Sequence, residues 1–311
     1  MARLVRTFAL LIAATSLLGS CDSAPEVDPE PAKEALEPGT TQFGTSDYVE
    51  HIVGDLPIIL SAPHGGDLRP QAIPDRTQGT TINDANTQEL TRAIQHALFA
   101  RTGRHAHVVI NRLHRSKLDA NRDLAEAAQG NAAAERAWTE FHAFTDSAKA
   151  RVTESWGAGL YLDLHGHAHL IDRLELGMLL SRNELNGTDA HLNGLAHESS
   201  LRALASAADL PFSALVRGQT SLGSLLEGQG VRAVPSGADP RPDDDPYFTG
   251  GYNTNRHGSR QTGTIDAIQI EHHRPGLRDT QANREAYAER LADALLQFMD
   301  AHYGFDLSPD E

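Results

Sequence analysis

Four short stretches hold most of the side chains that could do chemistry: SAPHGGDLRP (61–70), NRLHRSKLDANRD (111–123), LDLHGHAH (162–169) and IQIEHHRPG (268–276). Each lies at the end of an apolar run. Imidazoles and carboxylates can hold a divalent metal or move protons, and guanidiniums bind carboxylates in bidentate fashion or meet a developing oxyanion. A single histidine after a strand is ordinary, so His64 alone says little. The row Asp163, His165, His167, His169 says more, because a strand rising out of a sheet delivers side chains to its C-terminal edge, where open α/β sheets bind ligands.

The elements that would position these residues are legible as alternating apolar runs and helical spacings. LPIILSAP (56–63) and HAHVVINR (105–112) flank a helical segment over 84–103, in which Leu90, Ile94 and Leu98 recur every four residues before Gly103. That is a β-α-β unit, which requires parallel pairing. A helix over 132–152 precedes the strand AGLYLDLHG; DRLELGMLLS, PFSALVRG and TIDAIQIEHH read as further strands, and a last helix spans 279–303. The pattern predicts an α/β fold: one domain with a mostly parallel mixed sheet flanked by helices.

Acidic residues outnumber basic ones by 42 to 27, a formal net charge of -15, which argues against nucleic acid as a partner. The N-terminal stretch MARLVRTFALLIAATSLLGSC places Arg3 and Arg6 before an apolar run too short to span a bilayer. Its end, Leu18-Gly19-Ser20-Cys21, resembles the lipobox of bacterial lipoproteins, so residues 1–21 read as a lipoprotein signal peptide with its lipobox, which implies cleavage before Cys21 and acylation of that cysteine as the new amino terminus. Residues 22–45, rich in Pro, Glu, Asp, Ser and Thr, read as a flexible tether, which leaves 46–311 as the catalytic domain. The expected location is the bacterial cell envelope, with a lipid anchor as the one membrane contact. Cys21 is the only cysteine, so a metal site in the folded part must use His, Asp and Glu.

Taken together and in order, Pro63-His64-Gly65-Gly66, the Arg115 to Arg122 stretch with Asp119 and Asn121, Asp163-Leu164-His165 and Gln269-Ile270-Glu271 resemble the motifs of the N-formylglutamate amidohydrolase family, which belongs with the zinc carboxypeptidases and aspartoacylases. The YFTGGYNTNRHG stretch is similar to that family's Gly-Gly-Tyr segment, so the resemblance runs from about residue 58 to 271. It implies a zinc-carboxypeptidase-like fold and zinc as cofactor, with His64 and His165 as ligands. The third ligand is a carboxylate, Asp67 or Asp84; Asp84 is favoured because the segment after it reads as a helix that would hold it rigidly, and because the family has its acid there. Asp84 could also simply cap that helix. Asp163, two residues before His165 on one strand face, fits the carboxylate that orients a ligand imidazole. His167 and His169 read as polar lining or alternative ligands.

By the same resemblance, Asn121 and Arg122 hold a substrate carboxylate, Arg115 faces the carbonyl oxygen or a second acid group, and Tyr252 reaches the substrate. Glu271 is placed as general base toward a metal-activated water. The expected activity is hydrolysis of an amide bond in an N-acyl amino acid, N-formylglutamate-like, or in a small acidic peptide. A carboxypeptidase-like action on peptides or cell-wall fragments is the rival within enzymes. A lipoprotein that binds acidic solutes without catalysis is the rival outside them; it would need the arginines but no base.

Overall fold

The computed structural model describes residues 36–309. The signal peptide, Cys21 and residues 22–35 of the expected tether lie outside the described residues. Residues 36–45 do not continue a tether. They belong to the folded unit, which begins at Leu36 and not at 46, and they contribute an edge strand over Thr41–Phe43. Polar composition suggested a linker there, but an edge strand needs only backbone partners, and Thr41, Gln42 and Phe43 pair with Ile52, His51 and Glu50.

Eight strands form one sheet: β1 (Thr41–Phe43), β2 (Val49–Ile52), β3 (Ile58–Ala62), β4 (His107–Asn111), β5 (Gly159–Gly166), β6 (Leu174–Gly177), β7 (Ala233–Val234) and β8 (Ile265–His272). Their order is β1-β2-β4-β3-β5-β8-β6-β7. The centre, β4-β3-β5-β8, is parallel throughout, whereas β2 joins β4 and β6 joins β8 antiparallel. The sheet is therefore mostly parallel and mixed, as expected.

The helices are α1 (Thr87–Thr102), α2 (Leu124–Ala128), α3 (Ala132–Trp156), α4 (Arg182–Leu185), α5 (Asp189–Gly194), α6 (Arg202–Ala207), α7 (Phe212–Arg217), α8 (Leu222–Gly228), α9 (Tyr252–His257) and α10 (Gln281–Tyr303). Local chemistry sets their ends. Asn131 accepts from the amides of Ala133 and Ala134 to start α3, Thr280 accepts from Asn283 to start α10, and Gly103 in the left-handed region closes α1.

The central strands are buried on both faces, which is why β3 reads as the unbroken apolar run Ile58-Ile59-Leu60. On one face, Leu60, Leu160, Leu162, Ile268 and Ile270 pack with Leu90, Ile94 and Leu98 of α1 and Leu291, Leu295 and Phe298 of α10. On the other, Ile59, Tyr161 and Ala267 pack with Ala148 and Val152 of α3. Alternation along β5 puts Tyr161, Asp163 and His165 on the α3 side, and the last two lie at the C-terminal edge.

PFSALVRG is α7 and not a strand. Its buried residues Phe212, Leu215 and Val216 sit at helical i, i+3, i+4 spacing, and Pro211 precedes the first turn. The strand reading followed its apolar density and missed its period.

The loop after β3 is pinned beside β4: the amide of Leu68 donates to Arg112 O at 3.0 Å, and that of His114 to Leu68 O at 2.9 Å. Gly66 permits this approach, because a Cβ there would stand 2.3 Å from the Arg112 and Leu113 carbonyl oxygens. Gly66→Ala is expected to force the loop carrying His64 away from β4 and to cost about 1–3 kcal/mol of stability, measured by chemical denaturation.

Candidate metal and catalytic site

Four consecutive parallel strands release their chains at one edge of the sheet, and the candidate residues collect there. His64 follows β3, the Arg115 to Arg122 loop follows β4, and His165 and Glu271 stand opposite each other near the ends of β5 and β8. Asp84 comes from the long connection between β3 and α1. Its amide donates to His64 O at 3.1 Å, and its carbonyl accepts from the Thr87 hydroxyl at 2.9 Å.

The two histidines turn the same ring atom inward. His64 Nδ1 lies 3.3 Å, and His165 Nδ1 3.2 Å, from the same Asp84 oxygen, Oδ2, which also accepts from the Gly166 amide at 3.2 Å. On the far side of each ring, His64 Nε2 donates to Asp119 Oδ1 at 2.6 Å, and His165 Nε2 to Asp163 Oδ2 at 2.7 Å. All five side chains are buried. Asp84 is thus the acid brought to both histidines, while Asp67 stays exposed on its loop. Asp84 is not borne by a helix, however. Helix α1 starts at Thr87 after Asn86 at φ 69°, and Asp84 is held by turn hydrogen bonds to the β3 loop instead.

The outer carboxylates are themselves held. Asp163 Oδ1 accepts from Ser61 Oγ at 2.5 Å, Tyr161 OH at 3.2 Å and Asn253 Nδ2 at 3.3 Å. Asp119 Oδ2 accepts from Arg115 Nε at 3.0 Å, with Arg76 Nη1 at 3.7 Å, and Arg115 Nη1 reaches Asp84 Oδ1 at 3.3 Å. Burial opposes ionisation of all three aspartates, yet their partners prevail. His165 and His64 hold Asp84 well below the usual carboxylate range, His64 and Arg115 do so for Asp119, and His165 and Ser61 lower Asp163. Burial likewise opposes charge on His165, but Asp163, Asp84 and Glu271 raise it well above the usual imidazole value.

This arrangement fits a divalent cation. With both imidazoles neutral, as metal ligands are, three ionised aspartates outnumber the two guanidiniums of Arg76 and Arg115. Every ring nitrogen of His64 and His165 faces a carboxylate oxygen, so without a metal both nitrogens of a ring must carry protons to be satisfied. Two imidazoles and one carboxylate are the donor set of a catalytic zinc, and outer carboxylates that fix the rings are its usual companions.

Glu271 projects beside this centre. Its Oε1 accepts from Gln269 Nε2 at 3.0 Å, and its strand places it opposite His165 on one side and Glu175 on the other. Burial pushes its carboxyl up to about 8; Asp84 and Glu175 add to the effect, and His165 and Arg115 oppose it.

The remaining expected residues are placed less directly. The Asn121 side chain is buried against His165 Nε2 at 3.3 Å, and its oxygen accepts from the Asn253 amide at 2.7 Å, so it braces the histidine. Arg122 is partly exposed and bonds Glu126 at 3.1 Å. The Tyr252 ring packs toward His142 and Trp138, with centroids 5.7 and 6.2 Å away. Asp119 and Asn253 are the residues whose structural roles sequence reasoning missed. Asp119 was visible inside the Arg115 to Arg122 stretch but carried no role of its own, and nothing local singles out Asn253.

No protein-family model matches the chain, and no curated protein matches it either. Solved structures similar to it include N-formylglutamate amidohydrolase from Ralstonia eutropha JMP134, at 16% identity and TM-score 0.46, covering 82% of this chain and 97% of that one. A gene product from Agrobacterium tumefaciens is 16% identical at TM-score 0.45, covering 80% and 93%. The N-acetylmuramyl-L-alanine amidase of Mycobacterium abscessus is 12% identical at TM-score 0.35, covering 78% and 98%. The chemistry of the site is therefore argued from its own geometry.

Two outcomes follow. Asp119→Asn leaves His64 without its ionised partner and is expected to weaken zinc affinity about 10–100-fold, read by competition with a chromophoric chelator. For Glu271 the folded value lies above the unfolded one, so the metal-free protein loses stability as pH rises from about 4.5 to about 8. Glu271→Gln should therefore raise the melting temperature in chelator above that of wild type at pH 8.5, with the difference shrinking toward pH 5. A constant difference would contradict the raised value.

Proposed function

We propose that the protein is a zinc-dependent amidohydrolase that cleaves the amide bond of an N-acyl amino acid bearing a carboxylate, N-formylglutamate-like, or of a small acidic peptide. The observation that carries this reading is the convergence of His64 Nδ1 and His165 Nδ1 on Asp84, with Asp119 and Asp163 behind the rings and Glu271 opposite His165 across β5 and β8. The order of motifs shared with the amidohydrolase family supports it.

His64, Asp84 and His165 would hold the metal, which when bound acidifies water and polarises a carbonyl. Glu271 accepts the proton of the attacking water as the new C–O bond forms, then delivers it to the nitrogen as the C–N bond breaks, so no acyl-enzyme is needed. Its buried site suits both halves of that task, because a carboxylate with a raised proton affinity is the stronger base and, once protonated, holds the proton for the leaving nitrogen. Arg115, ordered by Asp119 and Asp84, presents its guanidinium toward the carbonyl oxygen as negative charge develops. Arg122 has the exposure to meet the substrate carboxylate after releasing Glu126. Asn121 serves this cycle by bracing His165.

The location is part of the same proposal: export and acylation at Cys21 would put the reaction in the bacterial cell envelope, with the lipid as anchor. Among the described residues no helix is long and apolar enough to cross a membrane.

The test is amine release by the zinc-loaded full-length chain from N-formyl and N-acetyl derivatives of acidic amino acids and from short acidic peptides. Cleavage is expected, with kcat falling about 10²–10⁴-fold in Glu271→Gln and KM rising in Arg122→Ala. Absence of turnover on all of them, or wild-type turnover in Glu271→Gln, would overturn the mechanism.

A further inference from the structure

His167 and His169 are not used by the proposed cycle, yet the structure builds a second convergence around them. Among the described residues, His167, His169 and Glu175 form another group whose donor atoms lie within 4.8 Å of one another. His169 Nδ1 stands 2.7 Å from Glu175 Oε1. We propose that these three side chains form a second divalent-cation site, of the transition-metal class that imidazole and carboxylate donors select.

His167 and Glu175 are each held by a hydrogen bond on the far side, as the ligands of the first site are, and His169 by ring stacking. His167 Nε2 donates to Arg173 O at 2.9 Å, which leaves Nδ1 unprotonated, and this nitrogen takes the His169 amide at 3.1 Å as the loop now stands. Glu175 Oε2 accepts from the Phe248 amide at 2.8 Å, which aims Oε1 at His169. The His169 ring stacks on Phe248, with centroids 4.9 Å apart and planes 7° from parallel. The His169 side chain is 24% exposed while Glu175 is buried at 1%, so an ion has a route in on the histidine side and a charged acceptor beneath.

The strand register supplies an independent reason for a cation. Glu175 of β6 pairs directly with Glu271 of β8, which sets two buried carboxylates opposite each other on neighbouring strands. When both are ionised, like charges so placed repel. A cation held by Glu175 would relieve that repulsion and would tie the loop after β5 to β6. The site shares no ligand with the first one, so each can fail alone.

The experiment is equilibrium dialysis of the full-length chain against zinc, with metal per chain read by mass spectrometry. Wild type should hold two zinc ions. His169→Ala, Glu175→Gln and His64→Ala should each hold one, and the His64→Ala/His169→Ala double variant none. His169 is partly exposed, so its replacement spares the core, and Glu175→Gln keeps an acceptor for the Phe248 amide. Zinc content equal to wild type in both His169→Ala and Glu175→Gln overturns the second site, including the case of one ion lost only in His64→Ala. A wild type holding a single ion, kept in His64→Ala and lost in His169→Ala, would support this site and sink the first.

Discussion

The site is organised around one oxygen. Asp84 Oδ2 faces Nδ1 of His64 and Nδ1 of His165, at 3.3 and 3.2 Å, among buried side chains. A buried carboxylate between two imidazoles is tolerable only if the groups around it settle where protons and charge reside. Asp119 and Asp163 do so by taking the Nε2 hydrogens, Arg115 by reaching both Asp84 and Asp119, and Ser61, Tyr161 and Asn253 by saturating the far oxygen of Asp163. Much of the surrounding architecture, from the tight approach at Gly66 to the turn at Thr87, keeps that one geometry.

The parallel core makes the convergence possible. Strands β3, β4, β5 and β8 run the same way and end at one edge, so His64 and His165, about 100 positions apart in the chain, reach the same Asp84 oxygen. Antiparallel β6 then delivers Glu175 to the same edge from the opposite direction, where it faces Glu271. The sheet is thus the source both of the Glu271 carboxyl's position and of the electrostatic pressure on it. Burial alone would raise the Glu271 carboxyl, and the neighbouring acids add to it while His165 and Arg115 restrain it.

The arginines divide into two kinds. Arg76 and Arg115 are buried and bound to Asp119, so they serve the charge balance of the centre, and Arg115 also reaches Asp84 through Oδ1, the oxygen that does not face the histidines. Arg122 makes no ion pair with those aspartates and pairs instead with the partly exposed Glu126. Three nearby guanidiniums that look alike in the sequence therefore differ in what their burial allows.

The central strands, the long helices α1, α3 and α10, and the residue types of the site were all legible in the sequence, because period-2 and period-3.6 patterns and strand-end polar residues are local signals. Helix α7 was misread because its apolar density resembles a strand until the i, i+3, i+4 burial of Phe212, Leu215 and Val216 is seen. The edge strand β1 was read as tether because backbone pairing leaves little mark on side-chain composition. Asp163 was readable behind His165 because both lie on one strand, two residues apart. Asp119 behind His64, Asn121 bracing His165, and Glu175 opposite Glu271 were not, since each depends on how separate strands are laid side by side. The sequence by itself determined which groups are available and which elements carry them. The pairing of strands decided which of those groups share a charge environment, because electrostatic coupling follows distance in space and not along the chain.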